Sequence, residues 1–222
     1  MELFEKQSKL FNPLLHFKSR MEEMRSISVL GASIAKKWLK MIEEYFMHEA
    51  YPVNHPIGQE TFSLYVEYPL GIFEYALDID GAASLIKSKN MNPVNFTPSD
   101  CIASVDQGNI NEDPKLIQYN HKNPIMVVQS SYLTNKKPFC INGNHRINEA
   151  YKNGDKQIKV YVFNDLEFVP FFYDSLSKAM YFFEMDYNDL VKNNVDFTSY
   201  RNKAVVDEFY NMYLTSCKNK EV

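Results

Sequence analysis

Three features are scarce or missing in this sequence: long apolar runs, paired cysteines and histidines, and a basic start to the chain. No run reaches the roughly 18 apolar residues that a membrane-spanning helix needs, because charged residues interrupt each one. The cysteines Cys101, Cys140 and Cys217 lie far apart and show no zinc-like spacing. Acidic residues follow Met1 closely, unlike in a secretory signal peptide. These absences exclude a membrane span and predict a reducing, cytoplasmic location without a structural metal.

An excess of positive charge is also missing. Lys and Arg number 24 against 28 Asp and Glu, which gives a formal charge of −4. A sequence-independent nucleic-acid coat needs the opposite sign. The charges are unevenly spread, however, since residues 51–114 carry 2 basic and 9 acidic side chains whereas residues 115–160 carry 8 and 2. The second stretch therefore predicts a local anion site within an acidic chain.

The distribution of apolar residues indicates the fold class. Apolar residues make up 45% of the chain and aromatic residues 14%, which is enough for a packed core. They recur at helical spacing in the first 50 residues and alternate with polar residues, as in strands, over Thr61–Ile79. The sequence predicts an α+β fold, in which a small mixed α/β core over residues 91–168 carries helical additions over 1–90 and 169–222 in one compact unit.

Further helices are expected over Ala82–Lys89 and Phe171–Phe183. Asp78 and Asp80 could share a cation on one face of a strand, but a polar strand end before Gly81 is the favoured interpretation. Aromatic side chains near the C-terminal helices could stack on nucleobases, although a role in the core or at an interface is favoured. These side chains are Phe171, Phe172, Tyr181, Phe182 and Phe183, and Trp38 is likewise expected in the core.

The basic stretch contains the one recognisable chemical motif. Short apolar strands are predicted at Ile125–Val128 and Pro138–Ile141, followed by a turn that contains Gly143. A helix is predicted next, with Gly154 at its C-terminal end. A strand with alternating apolar residues follows at Ile158–Val162. The expected order is strand, turn, helix and strand.

The turn reads Asn142-Gly143-Asn144-His145-Arg146. Asn142 or Asn144 is expected to be the N-cap of the helix, and Gly143 to let a ligand approach the backbone. Basic residues in a first helical turn are unfavourable beside the helix dipole unless an anion lies in front of them. The turn therefore predicts a bound phosphate or carboxylate, to which the Arg146 fork can donate twice. A structural alternative stays open, in which Arg146 pairs with Glu149 on the helix surface.

On Pro124–Val127, Ile141–Gly154 and Ile158–Val162, the chain resembles the ParB/sulfiredoxin superfamily, loosely over residues 91–165. Members of that superfamily typically combine Pro-Ile-x-Val, a Gly-x-His-Arg or Gly-x-x-Arg turn that opens a helix, and an Ile-x-Val-x-Val strand. Sulfiredoxin-like members carry a reactive cysteine where this chain has Asn144, so sulfinic-acid reduction is not implied. Chromosome-partitioning members carry a Glu-Asn-x-x-Arg motif and a helix-turn-helix, which this sequence lacks.

The resemblance implies a nucleotide site. Gly143, Asn144, His145 and Arg146 would line the phosphates of a nucleoside triphosphate, ATP or CTP, often with Mg²⁺, and His121 would lie near the nucleotide. The carboxylate that catalysis needs would be Glu149 or Asp106, with Asp113 as a third candidate. The metal ligands are left unknown.

The leading hypothesis is a cytoplasmic protein that binds a nucleoside triphosphate through this turn. If it is an enzyme, which the sequence leaves open, a phosphotransferase or NTP hydrolase is expected. One alternative is a non-enzymatic module whose aromatic helical flanks bind a protein partner or a second copy of the chain. The other alternative is a DNA-binding protein or nuclease, which the acidic total charge disfavours.

Overall fold

A computed structural model describes residues 11–46, 50–105, 124–195 and 204–211 of the chain. The fold is α+β, as predicted. The α-helices with both ends in these residues are α1 (Pro13–Ile27), α2 (Val29–Met41), α3 (Ile79–Ser88), α4 (Pro98–Cys101), α5 (Asn144–Asn153) and α6 (Ser175–Tyr187). The strands are β1 (Thr61–Tyr68), β2 (Gly71–Asp78), β3 (Val94–Phe96), β4 (Ile125–Gln129), β5 (Phe139–Asn142) and β6 (Ile158–Asn164). Ile102–Ser104 and Asp165–Phe171 form 3-10 helices, and Ile42–Phe46 and Asn188–Lys192 form π-helices.

The described residues fall into two compact units. The first, here called the helical unit, draws on the ranges Met1–Asn54, Leu64–Tyr75 and Asp174–Val222. The second, here called the sheet unit, draws on His55–Ser63 and Ala76–Tyr173. Within the described part of the chain, no helix is both long and apolar enough to cross a membrane.

Ser28 divides the first helical stretch into α1 and α2. Its backbone is extended, with φ −161°, and its side chain accepts a hydrogen bond from Gly31 N at 2.9 Å. Because serine caps a following helix well in this conformation, one helix ends here and the next begins. The helical spacing of apolar residues in the first 50 residues is thus confirmed for those that the structure describes. Trp38 is fully buried, as expected.

The predicted strands over Thr61–Ile79 are confirmed as the hairpin of β1 and β2, which turns at Pro69 and Leu70. The helix expected from Ala82 begins earlier, at Ile79. The reason is that the Asp78 side chain accepts a hydrogen bond from Gly81 N at 2.8 Å and so caps α3 at its first turn.

The sheet unit is built on a four-stranded mixed sheet with the strand order β3-β6-β4-β5. Strands β4 and β6 are parallel, with Val127 opposite Val162, while β3 pairs with β6 and β5 with β4 in antiparallel fashion. Helix α5 lies between β5 and β6 in the chain. The predicted order of strand, turn, helix and strand is therefore confirmed.

One apolar core joins α5 to this sheet. Ile147 of α5 is fully buried together with Ile125, Val127 and Val160 from the central strands. Cys101 and Cys140 complete this cluster as buried cysteines. Burial raises the pKa of Cys101 to about 11, with a smaller contribution from Asp100. Because the thiolate is the reactive form, the Cys101 thiol is poorly reactive at neutral pH.

The helix expected over Phe171–Phe183 begins later, at Ser175. Pro170 lies inside the preceding 3-10 helix, and the Asp174 side chain caps α6 by accepting from Ser177 N at 2.7 Å. The core interpretation of the nearby aromatic residues is confirmed. Each of the following has a relative exposure of 2% or less: Phe171, Phe172, Tyr181, Phe182 and Phe183.

Candidate functional site

The residues Asn142–Arg146, here called the Gly143 turn, join the end of β5 to the start of α5. Gly143 itself is the N-cap, with a positive φ of 106°. The expectation that Asn142 or Asn144 would cap the helix is therefore wrong. Asn142 is the last residue of β5, and Asn144 is the first residue of α5 and has a relative exposure of 7%.

Close packing and backbone conformation both require glycine at position 143. A Cβ atom there would lie 2.5 Å from Cγ2 of Ile125 and 2.9 Å from Nη2 of Arg146. The positive φ is also costly for a residue with a side chain. The chain can therefore make this turn beside β4 only with glycine.

Gly154, at the other end of α5, provides a matched control for this packing. Its φ is also positive, at 67°, but a Cβ atom there would meet nothing within 4 Å. We expect Gly143→Ala to lower the free energy of unfolding by about 2–3 kcal/mol, because backbone strain and steric overlap add. Gly154→Ala should cost about 1 kcal/mol from strain alone. Thermal melts followed by circular dichroism measure both, and equal costs would show that the contact with Ile125 is unimportant.

The half-buried side chain of Arg146 joins the turn to both neighbouring strands. Its Nη1 donates to the carbonyl oxygen of Pro124 at 2.9 Å, at the start of β4. Its Nη2 donates to Oδ1 of Asn142, at the end of β5. Burial lowers the pKa of Arg146, and the effects of Cys140 and Glu60 oppose this shift. The guanidinium group therefore has a structural role whether or not an anion binds beside it.

Glu60 is a member of this site that sequence reasoning missed. Its Oε1 accepts a hydrogen bond from Nδ2 of Asn142 at 2.8 Å, across 82 residues of sequence. Its backbone is held by α3, since Glu60 N donates to Oδ2 of Asp80 and Ile79 N donates to Glu60 O, both at 2.9 Å. In the sequence, the one sign of this contact was that the acidic residues 51–114 precede the basic residues 115–160. That charge pattern does not identify Glu60.

The structure brings together part of the predicted site. Gly143, Asn144, His145 and Arg146 are consecutive at the start of α5, and His145 is half-buried. Glu149 lies on the same helix, three residues beyond Arg146, and is also half-buried. The other candidates, Asp106, Asp113 and His121, lie outside the described residues.

The cation considered for Asp78 and Asp80 is not needed to explain their positions. Asp78 caps α3, and Asp80 accepts from the backbone of Glu60. This supports the favoured interpretation of a polar strand end. Among the residues that the structure describes, no three His, Cys, Asp or Glu side chains are grouped so that they could hold a metal ion.

The helical unit contains a buried polar cluster that sequence reasoning also missed. Glu184 has a relative exposure of 1%, and its Oε1 accepts from Nε2 of His16 at 2.7 Å and lies 3.4 Å from Nε of Arg20. Arg20 also donates through Nη1 to the hydroxyl of Tyr187 at 2.5 Å, and Tyr187 donates to Glu23. An acidic residue within the aromatic run of α6 was the only local signal of this cluster.

A second buried carboxylate lies on the same helix. Asp186 has a relative exposure of 1% and accepts from Nε1 of Trp38 at 2.8 Å. It also accepts from the backbone N–H groups of Val205 at 2.7 Å and Val206 at 3.0 Å. Asp186 thus ties residues 204–211 to α2 and α6 within the helical unit.

Comparison of this chain with protein-family models, with curated proteins and with solved structures finds no match. The resemblance to the ParB/sulfiredoxin superfamily is therefore carried by the motif residues alone and stays an expectation. The order of elements and the geometry around the Gly143 turn are the observations on which a function can be proposed.

Proposed function

We propose that the Gly143 turn binds the phosphate groups of a nucleoside triphosphate, ATP or CTP, in a core of ParB/sulfiredoxin-like fold. The observation that carries this proposal is the start of α5. This helix begins at a glycine with positive φ, has no acidic residue in its first turn, and carries His145 and Arg146 there instead. A helix N-terminus attracts anions through its backbone N–H groups and its dipole.

The caps of the other described α-helices support this interpretation. Each of the helices α1, α2, α3, α4 and α6 has a cap residue whose side-chain oxygen accepts from a backbone N–H of the first turn. These residues are Asn12, Ser28, Asp78, Thr97 and Asp174. Gly143 has no side chain that could take this place. An external phosphate oxygen is a suitable acceptor at such a position.

Each residue of the turn has a distinct part in the proposed site. Gly143 supplies the positive φ with which α5 begins, and His145 donates to a phosphate oxygen. Arg146 supplies positive charge from a fixed position, since Pro124 and Asn142 already hold two of its nitrogens. This charge favours phosphate groups and would stabilise further negative charge as it develops during transfer or hydrolysis. Glu149, on the same helix, is our candidate for the carboxylate that such a reaction needs.

The proposal predicts that ATP or CTP stabilises the protein. A ligand at 100 times its dissociation constant should raise the free energy of unfolding by about 2.7 kcal/mol. Thermal melts with ATP, CTP and GTP, each with and without Mg²⁺, measure this shift and identify the base that is preferred. His145→Gln and Arg146→Lys should weaken it, because the first loses the imidazole and the second loses the planar fork of donors.

Lys156→Ala is the control for a general effect of the basic stretch. Lys156 is exposed in the basic stretch and lies beyond the end of α5, so its loss changes the net charge without touching the turn. We expect this variant to keep the full thermal shift. Absence of a shift with every triphosphate would refute the proposal, as would a shift that survives unchanged in both turn variants.

The two alternative functions stay predictions. For the interaction module, Phe171 and Phe182 are not available as an exposed docking surface, because their relative exposures are 2% and 1%. For the DNA-binding protein or nuclease, steep loss of affinity with salt would be the expected signature. The start of α5 favours a compact phosphate ligand over either alternative.

A further inference from the structure

Three side chains form a chain of hydrogen bonds that ends on Arg146. Asn142 Nδ2 donates to Oε1 of Glu60, and Asn142 Oδ1 accepts from Nη2 of Arg146. A carboxylate can only accept hydrogen bonds, and a guanidinium group can only donate them. The amide of Asn142 between them therefore has a single orientation that satisfies both neighbours.

Backbone hydrogen bonds hold Glu60 in place at the end of this hydrogen-bond series that lies away from Arg146. The N–H and C=O groups of Glu60 are both bonded to residues at the start of α3, namely Asp80 and Ile79. The Glu60 side chain is exposed, but its starting point is fixed by these two bonds. A fixed carboxylate can orient the amide that it accepts from, and that amide in turn orients the Arg146 fork.

We infer that Glu60 is a positioning residue for the phosphate site: it orients Asn142, which holds the Arg146 guanidinium group beside Gly143. This inference rests on the proposed function for its phosphate ligand, although the orientation of Arg146 can be measured without one. Glu60 does not contact the phosphate and takes no part in proton transfer. Its negative charge lies close enough to act on the pKa of Arg146, so it also opposes binding of an anion.

These two effects of Glu60 can be separated by two substitutions. Glu60→Gln keeps an oxygen that accepts from Asn142 and removes the charge. Glu60→Ala removes both the acceptor and the charge. If Glu60 positions Arg146, Glu60→Ala should raise the dissociation constant roughly tenfold for the triphosphate that stabilises the wild-type protein. A factor of this size is expected for loss of a hydrogen bond to a charged group. Glu60→Gln should bind the triphosphate as tightly as the wild type or more tightly.

A chemical readout tests the orientation of Arg146 directly. Phenylglyoxal modifies arginine, and peptide mass spectrometry locates the modified residue. We expect Arg146 to react about threefold faster or more in Glu60→Ala than in the wild type, a factor at the low end of the usual coupling between contacting residues. Its rate in Glu60→Gln should match the wild type. Arg25, on α1 in the helical unit, is the internal control and should react at one rate in all variants.

A double-mutant cycle with Asn142→Ala distinguishes positioning from a general loss of structure. If Glu60 acts through Asn142, Glu60→Ala should have no further effect on Arg146 reactivity once Asn142 is replaced. Equal effects of Glu60→Ala with and without Asn142 would overturn the inference, and so would unchanged Arg146 reactivity in Glu60→Ala. If the wild-type protein binds no triphosphate, the proposed function fails while the reactivity measurements still decide the role of Glu60.

Discussion

Replacing Glu184 with alanine should lower the free energy of unfolding of the helical unit by about 3–5 kcal/mol, the usual cost of removing one partner from a buried ionic contact. Glu184 and His16 each have a relative exposure of 1%, and Arg20 has 9%. Without the carboxylate, His16 Nε2 and Arg20 Nε lose an acceptor at 2.7 Å and a charge partner at 3.4 Å. Water cannot easily replace it at so buried a position.

Denaturant unfolding followed by tryptophan fluorescence measures this loss of stability in the helical unit. Trp38 is the single tryptophan of the chain. It is fully buried, with its ring centroid 5.5 Å from that of Phe183 on α6. Its emission therefore reports on unfolding where Glu184 lies. A lower midpoint at an unchanged slope would indicate a loss of stability without a change in the unfolded state.

Two further variants make the result specific to the buried contact. Glu22→Ala removes an exposed carboxylate from α1 and should cost no more than about 0.5 kcal/mol. The double replacement His16→Phe with Glu184→Leu should be less destabilising than Glu184→Ala, because position 16 then has no buried ring nitrogen without an acceptor. Arg20 loses Glu184 in both variants and keeps its bond to the Tyr187 hydroxyl. A double replacement that is more costly than the single one would show that the polar cluster itself is the source of stability.

The parts of the fold that the sequence predicted are those that local chemistry determines. Gly154 ends α5 because its φ of 67° is easily adopted only without a side chain. Val160 is fully buried in the sheet core while Lys159 beside it is exposed, as the alternation along Ile158–Val162 predicted. In both cases, the determining residues lie within a few positions of the feature.

The N-cap of α5 was mispredicted because contacts between distant residues decide it. Asparagine is a better cap than glycine by local preference. Here, however, the side chain of Asn142 is engaged by Glu60, 82 residues away, and by Arg146. Ile125 of β4 lies so close to Gly143 that no side chain fits. None of these constraints can be read from the turn sequence alone.

The buried carboxylates of α6 were missed for the same reason. His16 and Glu184 are separated by 168 residues, and each is ordinary in its local sequence. Two acidic residues within the aromatic run Tyr181–Tyr187 were a weak sign that this face of the helix has polar partners in the core. Identifying those partners requires the packing of α1 and α2 against the rest of the helical unit.

Replacing Asp186 with alanine should cost about 3–5 kcal/mol at mildly acidic pH, and this cost should shrink as the pH rises to about 7. The loss arises because the Trp38 indole and the N–H groups of Val205 and Val206 lose their acceptor. Each unsatisfied buried donor costs about 1–3 kcal/mol, with partial relaxation of the site reducing the sum.

The pH dependence follows from the pKa of Asp186. Burial raises this pKa from 3.8 to about 7, Asp189 adds a smaller upward effect, and the three hydrogen bonds act in the opposite direction. Between pH 3.8 and about pH 7, Asp186 holds a proton in the folded protein that it has released in the unfolded chain. Stability contributed by this group therefore falls as pH rises through that window and is constant above it. Alanine does not titrate, so the difference between wild type and variant isolates the effect.

Asp207 provides the control within the same segment, because it is an exposed carboxylate paired with Lys37 at 2.7 Å. Asp207→Ala should cost less than about 1 kcal/mol. Unfolding measured by Trp38 fluorescence at a series of pH values gives the free-energy cost of Asp186→Ala and of Asp207→Ala at each pH. A cost of Asp186→Ala that grows with pH would mean that the three donors stabilise the carboxylate more than burial destabilises it. The pKa of Asp186 would then lie below 3.8, and ionised Asp186 would itself hold residues 204–211 in place.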